Sequence, residues 1–308
     1  MHVEYENAIL DITEEGIATI TLHRPKALNA LCGEINRDMM SAIQEIQRTE
    51  GVRVLIMTGS ERAFAAGADL KEMLEVTPRQ ARDICQLAKD INELLESMPI
   101  PTIAAVGGFA FGGGFELALS CDFRVGGPRT TVSFPEAGLG IIPGANGMIR
   151  AAHIVGPSKA KELSMLNTMV SGEEAYRLGL LNWFVKGDAD LDAAAAEAKK
   201  AAKAAKKSGD EAAIAETKAA QKAAEAAAQK SEYDAIYGKA VEVAKQLCSK
   251  PARALESVKK VVYDAVNVNA QQGKLMETAE FALLFNTHDQ REGMTAFGEK
   301  RPPVYTNN

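Results

Sequence analysis

The chain has 308 residues, of which 46% are hydrophobic and 25% charged, as in ordinary water-soluble globular proteins with ample core material. A formal net charge of −6 makes a polyanion such as nucleic acid an unlikely principal partner. No stretch approaches the roughly 20 apolar residues that a membrane span needs, so no membrane association is expected.

The N-terminal sequence MHVEYENAILDITEEG is acidic and has no basic region followed by an apolar one. We therefore expect neither a secretory signal nor a mitochondrial transit peptide. The four cysteines show no CxxC spacing, and the four histidines show no metal-ligand spacing. These patterns predict a cytoplasmic protein with reduced thiols and no metal site.

Strand-like and helix-like patterns alternate along residues 1–187, which predicts an α/β fold. The expected rhythm is strand, strand, helix, repeated. Helices are predicted at residues 34–48 and 78–98, where apolar residues recur at helical spacing. Strands are predicted at residues 17–23, 52–59, 102–106, 122–126 and 130–134.

Residues 188–232 differ sharply in composition from the rest of the chain. Between residues 193 and 230, 19 of 38 residues are alanine and eight are lysine, which predicts helix. Gly209 is expected to end one helix, and Ser208 or Asp210 to cap the next. The segment is therefore predicted to be an exposed helical hairpin that buries little apolar surface.

Amphipathic helices are predicted again in residues 233–308, followed by an extended tail. One apolar stripe contains Leu275, Phe281, Leu284 and Phe285, and it suits either an intramolecular core or a contact between subunits. The predicted organisation is a core at 1–187, a helical insertion at 188–232 and a C-terminal helical region at 233–308.

Several kinds of catalytic site are disfavoured by the absence of their motifs. The chain has no G-x-S-x-G elbow and no H-E-x-x-H pair, so neither a catalytic triad nor a metal centre is expected. The glycines match neither G-x-x-x-x-G-K-[ST] nor G-x-G-x-x-G, which disfavours loops of those kinds that bind phosphate.

The segment FGGGFELALSCDF, at residues 111–123, places three glycines and Glu116 where a strand gives way to a helix. Amides at a helix N-terminus have no intrahelical acceptor, so they can stabilise an oxygen that gains negative charge. The segment AFAAGADLKEM, at residues 63–73, could supply a second amide donor. The structural alternatives are tight packing of the glycines and a turn capped by Asp69.

A second acid, Glu136, lies among apolar residues and glycines in SFPEAGLGIIPGANG, at residues 133–147. Burying an acid is costly unless it is useful or paired. Two glutamates close together in an apolar pocket would give at least one a raised pKa, which suits proton transfer. The alternative is a solvent-exposed Glu136.

These segments occur in an order that closely resembles the crotonase, or enoyl-CoA hydratase/isomerase, superfamily. The resemblance rests on HRPKALNAL, AFAAGADLKEM, IAAVGGFAFGGGFELALSCDFRV and FPEAGLGIIPGANG, with later landmarks SGEEAYRLGLLNWFV and DQREGMTAFGEKRPP. It covers nearly the whole chain except about residues 188–232. It implies a spiral of repeated ββα units followed by C-terminal helices.

The resemblance also implies roles for particular residues. The two amides that bind a thioester carbonyl, forming the oxyanion hole, fall on Ala68 and Gly113. Glu116 and Glu136 match the two glutamates that flank a water in the hydratases, and Gly144 matches a position that helps to hold that water. The expected reaction is addition of water across C2–C3 of a short-chain enoyl-CoA, or the reverse dehydration.

Coenzyme A is expected as part of the substrate, with no separate cofactor. The resemblance suggests that Arg24, Lys26 and Lys71 meet its phosphates and that Ala66 leaves space for its adenine end. Lys300 is expected to reach the ligand of a neighbouring subunit. The resemblance further suggests homotrimers, commonly paired into homohexamers.

Departures from the family pattern and rival functions leave alternatives open. Phe115 replaces a commonly small residue and is expected to narrow the pocket or to repack it. Of the three consecutive residues Thr-Gln-Arg that are usual in this family, only the arginine, Arg150, is present. An isomerase, or an enzyme of the carnitinyl-CoA dehydratase type, is a neighbouring possibility. A relative that binds RNA or a partner protein is a different class, disfavoured by the acidic chain and the lack of aromatic residues in the hairpin.

Overall fold

The computed structural model describes residues 1–307, which form two β-sheets flanked by helices. The strands are β1 His2–Glu4, β2 Ala8–Ile12, β3 Ile17–Leu22, β4 Val54–Thr58, β5 Ala63–Ala65, β6 Thr102–Ala105, β7 Phe109–Phe111, β8 Phe123–Gly126, β9 Thr131–Ser133, β10 Val170–Ser171 and β11 Trp183–Phe184. The helices are α1 Gly33–Arg48, α2 Leu70–Met73, α3 Pro78–Ser97, α4 Gly113–Leu119, α5 Gly147–Met165, α6 Gly172–Arg177, α7 Ala189–Ser208, α8 Glu211–Cys248, α9 Ala252–Ala265, α10 Ala270–Leu284 and α11 His288–Glu299.

The repeat of two strands and a helix is confirmed, and it distributes its strands between the two sheets. The first strand of each repeat joins the larger sheet, whose order is β1-β2-β3-β4-β6-β8-β11. The second strand joins the smaller sheet, whose order is β10-β9-β7-β5. Strands β4, β6 and β8 are parallel to one another, and so are β5, β7 and β9. This is the predicted spiral.

Both faces of the larger sheet are covered, as a sheet with parallel central strands requires. On β4, Leu55 and Met57 point into the core on one side, whereas Val54 and Ile56 point into the core on the other. That alternation follows from the two-residue period of a strand. The first core includes α1, and the second includes the C-terminal half of α8.

The alanine-rich segment forms the predicted helical hairpin from α7 and the first half of α8. Gly209 ends α7 in the left-handed conformation, with φ of 77°, and the Asp210 carboxylate accepts hydrogen bonds from the amides of Ala212 and Ala213. Within residues 189–230, only Ala195 and Ala228 are buried. The expectation of an exposed hairpin is therefore confirmed, with Asp210 as the cap.

An ion-pair cluster fastens the base of this hairpin to the loop between β8 and β9. The Arg129 guanidinium lies 2.7 Å from both Asp192 on α7 and Glu232 on α8. Glu232 is only 2% exposed and also accepts a hydrogen bond from the Arg129 amide. Because α8 runs unbroken through residue 232, it joins the predicted insertion to the predicted C-terminal region, and the three-part division stays a prediction.

Helix α9 is amphipathic, and many apolar side chains of α9 and α10 remain exposed in the isolated chain. Neither α9 nor α10 contains a buried residue. Of the predicted stripe, Leu275, Phe281 and Phe285 are exposed and Leu284 is half-buried. The stripe is thus not an intramolecular core. Across residues 1–307, the length and apolar character required to cross a membrane are not found together in any helix.

Candidate active site

A cavity of about 160 Å³ lies at the edge where parallel strands β5, β7 and β9 end. Carboxyl ends of parallel strands share one edge, so the loops after these three strands converge there, as at many ligand sites of α/β proteins. Helices α1, α2 and α3 contribute the remaining walls. The lining includes every residue predicted for the oxyanion hole and the water site: Ala68, Gly113, Glu116, Glu136 and Gly144.

Glu116 extends from α4 and is 2% exposed. Its Oε1 accepts hydrogen bonds of 2.8 Å from the amides of both Ala145 and Gly147. Burial raises the pKa of the Glu116 carboxyl, while these two amides and the charge of Arg150 act in the opposite direction. The site therefore holds a buried acid whose ionised form is supported by fixed dipoles.

Glu136 begins the short 3-10 helix that follows β9, and it is 9% exposed. Its Oε2 is buried and has no hydrogen-bond partner among residues 1–307. Burial, with a smaller contribution from the charge of Glu116, raises the pKa of Glu136 to about 7. The alternative of a solvent-exposed Glu136 is wrong, because this carboxyl is enclosed and can titrate near neutral pH.

Glycines beside the two acids provide the room that these carboxyls occupy. A Cβ atom on Gly112 would collide with Glu136 Oε1, and one on Gly147 would collide with the side chain of Glu116. Gly112 also has a positive φ of 48°, which side chains disfavour. Gly114 differs, because its missing Cβ lets α4 pack against Ala65 of β5. The glycine triplet therefore serves both the site and tight packing.

The amides of Ala68 and Gly113 are close together at the cavity wall. A Cβ atom placed on Gly113 would lie 3.9 Å from the Ala68 nitrogen. Neither amide donates a hydrogen bond within residues 1–307. Gly113 is the first residue of α4, so its amide has no intrahelical acceptor. Both amides therefore remain without an acceptor in the described part of the chain, beside the same cavity.

The segment ALNAL, at residues 27–31, holds the loop that carries Ala68. The Leu31 amide donates to Gly67 and the Leu31 carbonyl accepts from Asp69, at 2.7 and 2.9 Å. These two hydrogen bonds involve the residues on either side of Ala68 and do not use the Ala68 amide. Asn29 anchors the same segment by donating from its side chain to the carbonyls of Ala63 and Phe64.

Two residues that support Glu116 were missed as site residues by sequence reasoning. The Ala145 carbonyl accepts hydrogen bonds from Arg150 at 2.6 Å and from Asn92 at 3.1 Å. Arg150 also pairs with Glu96, and it is 8% exposed. These contacts fix the backbone at Ala145, next to the two amides that donate to Glu116. The only signal in the sequence was the retention of Arg150 from the expected trio.

Gly144 lines the cavity close to Cys85 of α3. A Cβ atom on Gly144 would lie 2.6 Å from the Cys85 sulfur, so a side chain at residue 144 would displace this wall. Phe115 does not line the cavity: it is buried and packs on Phe134 with ring centroids 4.8 Å apart. Phe115 therefore does not itself narrow the cavity.

The residues predicted to contact coenzyme A fall into different environments. Ala66 lines the cavity, whereas Lys26, Lys71 and Lys300 are exposed and lie outside its lining. The Arg24 guanidinium lies 2.7 Å from Asp69 and donates to the Ala30 carbonyl. Hydrogen bonding to Arg24 lowers the pKa of Asp69. Arg24 thus braces the loop of Ala68, and its contact with a phosphate stays a prediction.

Comparison with known proteins identifies the family. The family model described as enoyl-CoA hydratase/isomerase matches residues 12–236 and 231–308. The chain is 34% identical to the crotonyl-CoA hydratase of Syntrophomonas wolfei, with 96% of each chain covered. It is 32% identical to the short-chain-enoyl-CoA hydratase of Clostridium acetobutylicum, with 97% of each chain covered.

Solved structures agree with these sequence relatives. An enoyl-CoA hydratase subunit from Geobacillus kaustophilus is 31% identical and superposes with a TM-score of 0.80, covering 99% of this chain and 100% of that one. An enoyl-CoA hydratase from Bacillus anthracis is 28% identical, also with a TM-score of 0.80, covering 98% of this chain and 100% of that one. The chain belongs to the enoyl-CoA hydratase/isomerase family.

Proposed function

We propose that the protein is an enoyl-CoA hydratase that adds water across C2–C3 of an enoyl thioester, and that it also catalyses the reverse dehydration. The observation that carries this proposal is the pair of buried glutamates in one cavity with two amides free to donate. The enoyl-CoA hydratase names of the relatives support the same reaction.

The amides of Ala68 and Gly113 would receive the thioester oxygen. As water adds to the enoyl group, this oxygen gains the negative charge of an enolate. Two preformed donors stabilise that charge without reorganising solvent, and in other enzymes the loss of one such donor costs about 2.7–4 kcal/mol of barrier. Binding at these amides would also bring C2 and C3 into the cavity that the two carboxyls line.

The environments of the two glutamates favour one assignment of their roles. Two amides hold Glu116 Oε1, whereas its Oε2 accepts no hydrogen bond from residues 1–307 and is available for water. Glu136 receives no such support at Oε2, and its pKa of about 7 leaves a substantial protonated fraction at neutral pH. Glu116 therefore acts as base and Glu136 as acid.

The proposed step balances without a further reactant. The water oxygen bonds to C3 and its proton passes to Glu116, while the proton of Glu136 passes to C2. The product is a 3-hydroxyacyl thioester, with Glu116 protonated and Glu136 ionised. Exchange of one proton with solvent restores each carboxyl to its starting state. Gly144, beside Glu116 in the lining, would help to hold the water.

The test is turnover of crotonyl-CoA, followed as loss of the conjugated enoyl absorbance. Glu116→Gln and Glu136→Gln should each lower kcat by roughly 100- to 10,000-fold, because each removes a proton-transfer group. Glu75→Gln is the matched control, since Glu75 is exposed and lies outside the cavity lining. Full activity in both cavity variants would contradict the mechanism.

Product analysis separates this proposal from its neighbours in the family. A hydratase yields a product heavier by one water, whereas an isomerase moves the double bond without changing the mass. Retention of both acids in the cavity supports hydration. If the product mass were unchanged, the isomerase alternative would replace the hydratase.

The remaining expectations concern partners and surroundings. We propose that the coenzyme A part of the substrate extends from Ala66 at the cavity wall toward Lys26 and Lys71 outside it, with Lys300 reaching a neighbouring subunit's ligand. The exposed apolar residues of α9 and α10 support assembly into homotrimers or homohexamers. Four free cysteines support a cytoplasmic location, where thiols stay reduced.

A further inference from the structure

The chemistry of the cavity lining suits the acyl part of a thioester. Its polar side chains are Asn36, Asn92, Glu116 and Glu136, together with the Cys85 thiol, and none of the lining residues is cationic. The other lining residues are aliphatic side chains, methionines, proline and glycines. A phosphate would find no cation here, whereas an alkyl chain would contact apolar atoms along most of the wall.

One wall is a continuous stripe on α3. Ile84, Ala88 and Ile91 line the cavity at helical spacing, as do Cys85 and Asn92. Ile91 and Asn92 are buried near Ala145 and Glu116, whereas Ile84, Cys85 and Ala88 are partly exposed. From residue 84 to residue 91 the helix advances roughly 10 Å. The stripe therefore leads from the two acids outward to the surface.

Part of the apolar cavity lining is exposed to solvent and forms a rim. Leu70, Leu139 and Ile142 line the cavity and are 52%, 53% and 69% exposed. Ile141 in the same segment is exposed as well. Exposed aliphatic residues grouped at the mouth of a pocket mark a binding surface rather than ordinary surface variation. Because this rim is continuous with the cavity, the ligand of the cavity is its natural occupant.

We propose that the protein acts on enoyl thioesters of medium chain length, with the far end of the acyl chain packed along the α3 stripe and the rim. This inference rests on the proposed hydratase function, but it departs from the short-chain substrate expected from sequence. A four-carbon acyl group would leave the outer stripe and the rim in water, whereas a chain of about eight carbons would cover them.

The first test is the kcat/KM for crotonyl-, hexenoyl-, octenoyl- and decenoyl-CoA. Burial of one methylene group corresponds to at most about a fourfold gain. We expect at least about a tenfold rise in kcat/KM from crotonyl- to octenoyl-CoA. A value that is flat or falls beyond crotonyl-CoA would overturn the inference while leaving the hydratase function intact.

A pair of variants tests where the chain lies. Ala88→Leu fills the middle of the stripe and should lower the ratio of octenoyl to crotonyl kcat/KM by at least about tenfold. Gln86→Leu adds the same side chain to the same helix at an exposed position outside the lining, and it should leave the ratio unchanged. Equal ratios in the two variants would overturn the placement.

A binding measurement works even if no turnover is observed, so it separates failure of this inference from failure of the proposed function. Octanoyl-CoA, which has no double bond to hydrate, should slow alkylation of Cys85 by iodoacetamide at least about fivefold more than butyryl-CoA does. Cys248, partly exposed on α8 and outside the cavity lining, is the internal reference in the same mass-spectrometric experiment. Equal protection by the two thioesters would contradict the inference.

Discussion

At the scale of single residues, Glu116 and Glu136 have the same side chain but lie in different surroundings. Both are buried, which disfavours the ionised form of each. Two amide dipoles offset this cost for Glu116 at Oε1, while Glu136 Oε2 has no partner among residues 1–307. This contrast in hydrogen bonding supports the proposed roles of Glu116 as base and Glu136 as acid.

The rate of hydration should therefore decrease as the pH rises through about 7, the pKa of Glu136. Below that pH the carboxyl is protonated and can supply the proton to C2, and above it that proton is lost. Dehydration needs the ionised form, so its rate should increase over the same interval. The measurement is kcat/KM in both directions from about pH 5 to about pH 9.

The same experiment with Glu136→Gln provides the control, because the variant has no carboxyl at residue 136 to titrate. Its residual activity should lose this pH dependence. A hydration rate in the unmodified protein that stays constant from about pH 6 to about pH 9 would show that Glu136 is not the proton donor.

At the scale of elements, the contact between α4 and β5 sets the position of the two amides. Gly113 begins α4, and Ala68 lies just beyond the end of β5. Gly114 packs directly on Ala65, with only 2.7 Å between an added Cβ and the Ala65 Cβ. A side chain at residue 114 would therefore push the helix away from the strand.

We predict that Gly114→Ala lowers kcat/KM for crotonyl-CoA by roughly 100-fold or more, because it moves one oxyanion donor relative to the other. Overpacking should also lower the free energy of unfolding by about 1–3 kcal/mol. Backbone donors cannot be removed by ordinary substitution, so this displacement is the practical test. Enzyme kinetics and urea denaturation measure the two effects.

Gly238→Ala on α8 is the matched substitution, since an added Cβ there meets no atom within 4 Å. It should stabilise the protein by about 0.5–1 kcal/mol, because alanine favours a helix interior, and it should leave kcat/KM unchanged. Normal activity in Gly114→Ala would mean that the spacing of α4 and β5 does not matter for the reaction.

At the scale of the whole molecule, the C-terminal helices leave apolar side chains exposed in the isolated chain. Val258 and Val262 are exposed on α9, as is Val266 directly after it, and Leu275 and Phe281 are exposed on α10. Exposed apolar residues grouped on neighbouring helices suit an interface between copies of the chain. The exposed stripe is consistent with the proposed trimer or hexamer.

We expect Val262→Asp to shift the protein from an oligomer to a monomer at micromolar concentration, because a charge buried in an apolar interface is strongly unfavourable. Sedimentation velocity measures the change in mass. Gln271→Asp introduces the same side chain at an exposed polar position of α10 and should leave the assembly unchanged. A monomeric unmodified protein would contradict the proposed oligomer.

Local patterns in the sequence were sufficient for much of the fold and for the main site residues. Strand β4 and helix α1 lie within the residues predicted for a strand and for a helix. The turn at Gly209 and Asp210 also follows from neighbouring residues alone, because capping involves groups only a few positions apart. The resemblance of ordered motifs indicated which glutamates and glycines to examine together.

Only the tertiary structure decided which partners those residues have. Ala145 donates to Glu116 across 29 positions of the chain, and Arg24 pairs with Asp69 across 45. It also showed Glu136 enclosed without a donor at Oε2, and the apolar rim continuous with the cavity. Hydrophobic periodicity records only which side of an element is buried. The distance between side chains on different elements depends on how those elements pack, which no local pattern contains.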